Sequence, residues 1–250
     1  MSNQSAEFLL INNNNTRTKF ALANREGFVA HEVMMSRDVT PESVREFLQS
    51  WNWDSVILAS VVPLNAPSLR EIREGRPLVE LSYEVPLGVE IDFPKPATIG
   101  ADRLANAAAV ADRGDGQPIV VVDFGTAVTF DIIDSRPAYV GGVIAPGLDA
   151  MNFYLHERTA LLPEIEIVRP KTAIGKSTEG AMQAGAFYGY RGLVREILGQ
   201  IQEEMEGPAK VIATGGYAAL IADNFKEIDS VEPNLTMHGL LKVALRNFSS

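Results

Sequence analysis

The residues that could do chemistry in this chain are carboxylates, hydroxyls, amides and backbone N–H groups. It has no cysteine, and its three histidines (His31, His156, His238) show neither metal-ligand nor triad spacing. The densest stretch is residues 119–131, where four branched apolar residues run into Asp123. The chain then turns at Gly125 and Thr126 and resumes an extended pattern through Val128 and Phe130. Val and Ile suit a buried strand, and a Gly inside such a pattern marks a turn or a close backbone approach. The expected object is a tight hairpin with a carboxylate, a bare Gly and two hydroxyls (Thr126, Thr129) at or near its tip. Such a tip can admit an anion beside backbone N–H groups, donate from Thr126 to a phosphate oxygen and hold a cation at Asp123. An ordinary hairpin whose Asp and Thr only satisfy the turn would read the same way.

A second copy adds to the first. Shifting the chain by about 111 residues, a fixed-offset self-match, lays residues 8–20 over 119–131. Asn12 then falls on Asp123, Asn14 on Gly125, Asn15 on Thr126 and Thr18 on Thr129. Asn tolerates positive φ better than other non-Gly residues, so Asn14 can do geometrically what Gly125 does. Asn12 cannot supply a negative charge, while Arg17 and Lys19 add positive charge nearby. The repeat predicts two similar α/β halves facing one another, each offering a hairpin to a cleft and gripping one end of a polyphosphate. The turn-rich residues 113–118 are the expected boundary, giving halves 1–115 and 116–250.

Further candidates lie between and after the hairpins. Gly100, Ala101, Asp102 and Arg103 open an Ala-rich helix that reaches Asn106 and beyond. Asp is favoured there by the helix macrodipole alone. Equally, Asp102 could deprotonate a hydroxyl while Arg103 grips a carboxylate or phosphate. Phe93 sits in a Pro-bounded loop ahead of this helix, where a substrate wall or a plain connector would fit. Gly175, Lys176, Ser177 and Thr178 look like part of a P-loop, but Pro170 stands where that pattern needs its first Gly. Thr214, Gly215 and Gly216 end a strand in a turn suited to pass under a nucleotide or to pack strand against helix.

The elements that must position these groups are legible in outline. Thr40 and Pro41 read as the N-cap and first residue of a helix, residues 56–62 as a buried strand closed by Pro63, and residues 148–158 as a helix. The long pattern from Glu179 to Met205 carries Gly180, Ala181, Ala184, Gly185 and Gly189 on related faces, suited to helix or subunit packing. At 250 residues the chain can build a substantial core. Its 46% hydrophobic and 22% charged content is ordinary for a globular protein. A net charge of −10 argues against a broad nucleic-acid or anionic-membrane surface. No apolar run approaches the ~20 residues that span a bilayer, and the start lacks the pattern of a signal peptide. The expectation is a cytoplasmic protein that binds neither nucleic acid nor membrane.

Taken together, the motifs resemble the type III pantothenate kinase family over nearly the whole chain. The likeness rests on their joint order: Asn12 to Thr16 for the family's Asp-x-Gly-Asn-Thr, then Ser60 to Pro63, Gly100 to Asn106, Asp123 to Ala127, Gly141 to Gly147, Thr159 to Pro163, Gly175 to Thr178 and Thr214 to Gly216. The resemblance implies an α/β fold of two ribonuclease-H-like halves of the acetate/sugar-kinase-like (actin-like ATPase) type, and a homodimer. It also implies ATP-dependent phosphorylation of pantothenate with Mg²⁺ and a monovalent cation, K⁺ or NH₄⁺. By position, Asp102 would be the base, and Phe93, Gly100, Ala101, Arg103 and Thr178 would frame the substrate. Asn12, Asn13, Asn14, Asn15, Thr16, Arg17, Thr18, Lys19 and Thr126 would contact ATP, and Asp123 would hold the monovalent cation. Two departures stand out: Asn12 replaces the Asp of the first hairpin and Asn14 its Gly. Phe93 also stands where many relatives have a Tyr, keeping the aromatic wall without its hydroxyl. An active kinase and a catalytically impaired relative that binds a nucleotide or a pantothenate-like ligand, or serves as a regulatory partner, are the two expectations.

Overall fold

The computed structural model describes residues 4–205 and 207–248. The chain divides into two compact units, Met1–Arg113 with Leu235–Ser250, and Gly114–Asn234. The division expected at 115/116 kept the whole C-terminal half together. In the structure the last helix belongs to the first unit instead, because its apolar face packs on elements of that unit.

In the first unit β1 (Gln4–Asn13), β2 (Arg17–Asn24) and β3 (Gly27–Met35) form an antiparallel meander. β4 (Trp51–Ser60) lies parallel to β1, and β5 (Leu78–Glu80) parallel to β4, giving the order β3-β2-β1-β4-β5. Phe8, Leu9, Leu10 and Ile11 are all buried, so β1 is covered on both faces. That is why it reads as an unbroken apolar run rather than an alternation. On one face α1 (Pro41–Phe47) and α2 (Ala66–Glu71) close a core with Leu9, Ile11, Phe20, Leu22, Val44, Leu58 and Leu69. The expected N-cap holds: Thr40 Oγ1 accepts from Ser43 N at 3.1 Å and Ser43 Oγ accepts from Thr40 N at 2.9 Å. That reciprocal pair satisfies two of the helix's orphan donors. After the short strand β6 (Glu90–Ile91), α3 (Ala101–Val110) follows and packs on β4.

The second unit repeats the order. β7 (Ile119–Phe124), β8 (Ala127–Ile133) and β9 (Ala138–Pro146) are antiparallel, while β10 (Lys210–Gly215) lies parallel to β7 and β11 (Ser230–Val231) parallel to β10. α4 (Leu148–Arg158), α5 (Thr178–Glu204) and α6 (Ala218–Ala222) complete it. Val120, Val122, Phe124, Val128 and Phe130 build its core with Phe187, Tyr190 and Val194 of α5. Full burial of such side chains is worth about 1.5–3 kcal/mol each. α7 (Leu235–Asn247) then returns to the first unit and packs on α3, β1 and β4. Among the described residues no helix is long and apolar enough to cross a membrane.

Candidate active site

Both predicted hairpins form, with different turns. In the second, Gly125 and Thr126 alone join β7 to β8, Gly125 N donates to Ala127 O at 3.0 Å, and Asp123 pairs with Thr129. In the first, three residues (Asn14, Asn15, Thr16) join β1 to β2, and Asn14 N donates to Arg17 O at 3.2 Å. The extra residue slides the outgoing strand, so Asn12 pairs with Lys19 and Asn13 with Thr18. A one-residue slip sends every side chain to the other face of a strand. The matching Thr offsets in the two copies therefore do not give matching positions: Thr129 stands beside Asp123, whereas Thr18 stands beside Asn13.

The consequence is a correction for two expected nucleotide contacts. Asn13 and Thr18 are both fully buried and turn into the unit. Asn13 Nδ2 donates to Thr18 Oγ1 at 2.7 Å, and Ser60 Oγ donates to Asn13 Oδ1 at 2.7 Å. Thr18 Oγ1 and Ser36 Oγ lie 3.0 Å apart. These side chains knit β1, β2 and β4 together and have little hydrogen-bonding capacity left for a ligand. Ser36 carried no sequence signal at all, because the contact comes from the start of a distant segment.

Asn12 and Lys19 occupy the opposite face. Asn12 is 2% exposed, and its Oδ1 has no hydrogen-bond partner, nor has Asn14 Oδ1. A buried acceptor left unmatched costs about 1–3 kcal/mol, so two of them at one hairpin are a feature that a ligand would relieve. Lys19 is half-buried, and Asn15, Thr16 and Arg17 are exposed at the tip. The two hairpins are thus chemically complementary. The first sets an ammonium beside a neutral amide, suited to phosphate, and the second sets a carboxylate beside a hydroxyl, suited to a cation.

The helix that carries Asp102 begins at the same edge of the first unit. Val61 N, just past β4, donates to Asn13 O at 3.0 Å. A Cβ on Gly100 would lie 3.5 Å from Val61 Cγ1 and only 2.7 Å from Asp102 Oδ1. Gly100 is the N-cap of α3 and offers no capping side chain. The Asp102 carboxylate folds back toward it and accepts from Arg103 N at 2.8 Å. Burial pushes the Asp102 carboxyl above its ordinary value, and the hydrogen bond and charge of Arg103 only partly offset this. A carboxylate so placed is a better proton acceptor than a solvated one. Ala101 is buried and Arg103 half-buried, while Phe93 lies half-buried in the loop leading to this helix.

In the second unit, two glycine turns brace the hairpin tip. Gly215 has φ +93°, and a Cβ there would lie 2.5 Å from Asp123 Oδ1 and 2.6 Å from the Phe124 carbonyl. A Cβ on Gly147 would lie 2.3 Å from Thr126 O, and Gly147 N donates to that oxygen at 3.2 Å. Tyr217 donates a hydrogen bond to Asp149, tying the two turns to each other. Thr126 is exposed at the tip. Thr178 is exposed as the first residue of α5, next to the N-cap Ser177 whose Oγ accepts from Gly180 N at 3.0 Å. Among the described residues no three His, Asp or Glu side chains converge on a possible metal position.

Two units built on one strand order, each with a hairpin at the first strand pair, give the fold seen in actin-like ATPases and sugar kinases. MreB 5 of Spiroplasma citri bound to AMPPNP matches at TM-score 0.52 and 11% identity, over 93% of this chain and 94% of that one. A structure assigned as a 2-dehydro-3-deoxygalactonokinase from Sinorhizobium meliloti matches at TM-score 0.62 and 11% identity, over 97% and 100%. The type III pantothenate kinase family model matches residues 8–200. A type III pantothenate kinase of Akkermansia muciniphila is 50% identical over 234 residues, covering 93% of this chain and 96% of the relative. The chain belongs to the type III pantothenate kinase family.

Proposed function

We propose that the protein transfers the terminal phosphoryl group of ATP to the primary hydroxyl of pantothenate, giving 4'-phosphopantothenate and ADP, the opening step toward coenzyme A. The observation that carries this reading, beyond family membership, is Asp102: an acid at a helix N-terminus whose burial raises its proton affinity. Asp102 takes the hydroxyl proton as the oxygen attacks the γ-phosphorus, and the bond to the ADP oxygen breaks. Arg103 holds the pantothenate carboxylate, and Gly100, Ala101 and Phe93 shape the first unit's part of the substrate site; Thr178 is the second unit's candidate contact. Lys19, with Arg17 and the N–H groups of residues 14–16, is the first unit's set of phosphate donors, and Thr126 is the second unit's. Catalysis of this kind is positioning and charge stabilisation, without a covalent intermediate.

Asp123 would hold a monovalent cation such as K⁺ or NH₄⁺, and Asn12 Oδ1 would be the acceptor available to Mg²⁺ or its water, each ion supplying positive charge to the phosphates. A second copy of the chain is the expected partner. Gly185 and Gly189 of α5 are exposed with nothing within 4 Å of an added Cβ, which leaves room for a close-packed helix. The expected place of action is the cytoplasm.

The test is pantothenate-dependent ADP formation by purified protein with ATP, Mg²⁺ and K⁺, beside the Asn12→Asp, Asn14→Gly double variant. The expected result is turnover by both, with tighter ATP and Mg²⁺ use in the variant, since a carboxylate binds Mg²⁺ better than an amide. Absence of turnover in both would overturn the reading.

A further inference from the structure

Asn106 closes the motif that begins at Gly100, and nothing so far explains it. It lies four residues after Asp102, hence on the same face of α3, and its side chain leans toward the turn that carries Asp102. It is 1% exposed, and its Oδ1 accepts from Thr236 Oγ1 at 2.8 Å. Thr236 is 7% exposed, on the first turn of α7 and beyond residue 200 where the family match ends.

The rest of α7 makes this contact rigid. A Cβ on Gly239 would lie 1.8 Å from Ala105 O, so the two helix backbones touch at the level of Asn106. Lys242 Nζ donates to Ala109 O at 2.9 Å and pairs with Asp112 at the far end of α3. Of these ties, the Thr236–Asn106 bond is the side-chain link closest to Asp102. It is buried and neutral, and its length is ordinary for such a bond.

We infer that Thr236 and Asn106 form a prop that fixes the first turn of α3, making Thr236 a positioning residue for phosphoryl transfer. The helix that begins the chain's return to the first unit therefore sets where the catalytic acid stands. This rests on the role proposed for Asp102. Thr236→Val keeps the shape and removes the hydroxyl; Thr236→Ser keeps the hydroxyl and removes a methyl.

The experiment measures kcat, both KM values and the pH dependence of kcat/KM for wild type, T236V, T236S and D102N, with melting temperatures for each. Small misplacements of reacting groups cost up to about a hundredfold. T236V should therefore lose about tenfold in kcat, with both KM values within about twofold, and its acidic limb should move as Asp102 shifts. T236S should recover most of the lost rate. Wild-type kcat and pH limb in T236V would overturn the prop. So would equal loss in T236V and T236S, which would make methyl packing the determinant, or a change in KM alone. If instead wild type lacks turnover, or D102N retains it, the failure belongs to the proposed function.

Discussion

Gly215→Ala is the substitution whose effect follows most directly from the coordinates. Gly215 sits at φ +93°, where a side chain is strained at a cost of order 1–3 kcal/mol. The added methyl would meet the Phe124 carbonyl at 2.6 Å and Asp123 Oδ1 at 2.5 Å, against an ordinary contact of at least 3.4 Å. The carbonyl is backbone and cannot rotate away, so the hairpin tip must retreat by about 0.8 Å, a typical overpacking response costing about 1–3 kcal/mol. Together these terms, about 2–6 kcal/mol, should lower the melting temperature by roughly 4–24 °C. The same retreat moves Asp123 and Thr126, so kcat/KM for ATP should fall by about 10–100-fold. KM for pantothenate should change less, because Phe93 and Gly100 to Arg103 belong to the other unit. Steady-state kinetics in both substrates and differential scanning calorimetry supply the two readouts. A variant that melts lower yet uses ATP like wild type would refute the link between this turn and the nucleotide. A variant unchanged in both would refute the geometry.

Asp102→Asn should abolish turnover and raise stability at neutral pH. Because burial raises the folded-state pKa above the ordinary 3.8, wild type loses stability as pH rises from there through the raised value. Melting curves at pH 3 should therefore coincide for the two proteins and separate at pH 7; no separation would count against a strained acid. Gly100→Ala should push the Asp102 carboxyl aside, since its Cβ would lie 2.7 Å from Oδ1. Kinetics should show kcat falling about tenfold with an unchanged fold by circular dichroism, and an unaffected kcat would exclude close packing of the acid on the cap. Thr18→Val should cost about 1–3 kcal/mol by denaturant titration, because it removes the 2.7 Å acceptor of Asn13 Nδ2 and leaves that buried amide only the 3.5 Å contact with Ser36 Oγ. Its KM for ATP should match wild type, and a large rise would restore Thr18 as a direct nucleotide contact.

Much of the architecture could be read from local pattern. The apolar run before Asp123, the Gly125 turn, the Thr40 cap and the unbroken Phe8–Ile11 strand are short-range features, decided by residue type and period. The order of the motifs was enough to indicate the family. Asp102 could be placed near a helix N-terminus, since Gly100 and the alanines after it announce that helix.

What the sequence could not decide was which face each hairpin residue takes and which helix supports which site. One extra residue in the first turn rotates Thr18 inward and brings Lys19 beside Asn12, and hairpin register depends on turn length as well as on strand pattern. The raised pKa of Asp102, the bracing of Asp123 by Gly215 and the Thr236–Asn106 bond all join residues distant in the chain. Each depends on desolvation and close approach, properties of packed neighbours that no local stretch encodes. The C-terminal helix shows this most plainly: only the folded chain returns it to the first unit and chooses α3, β1 and β4 as the surface it covers.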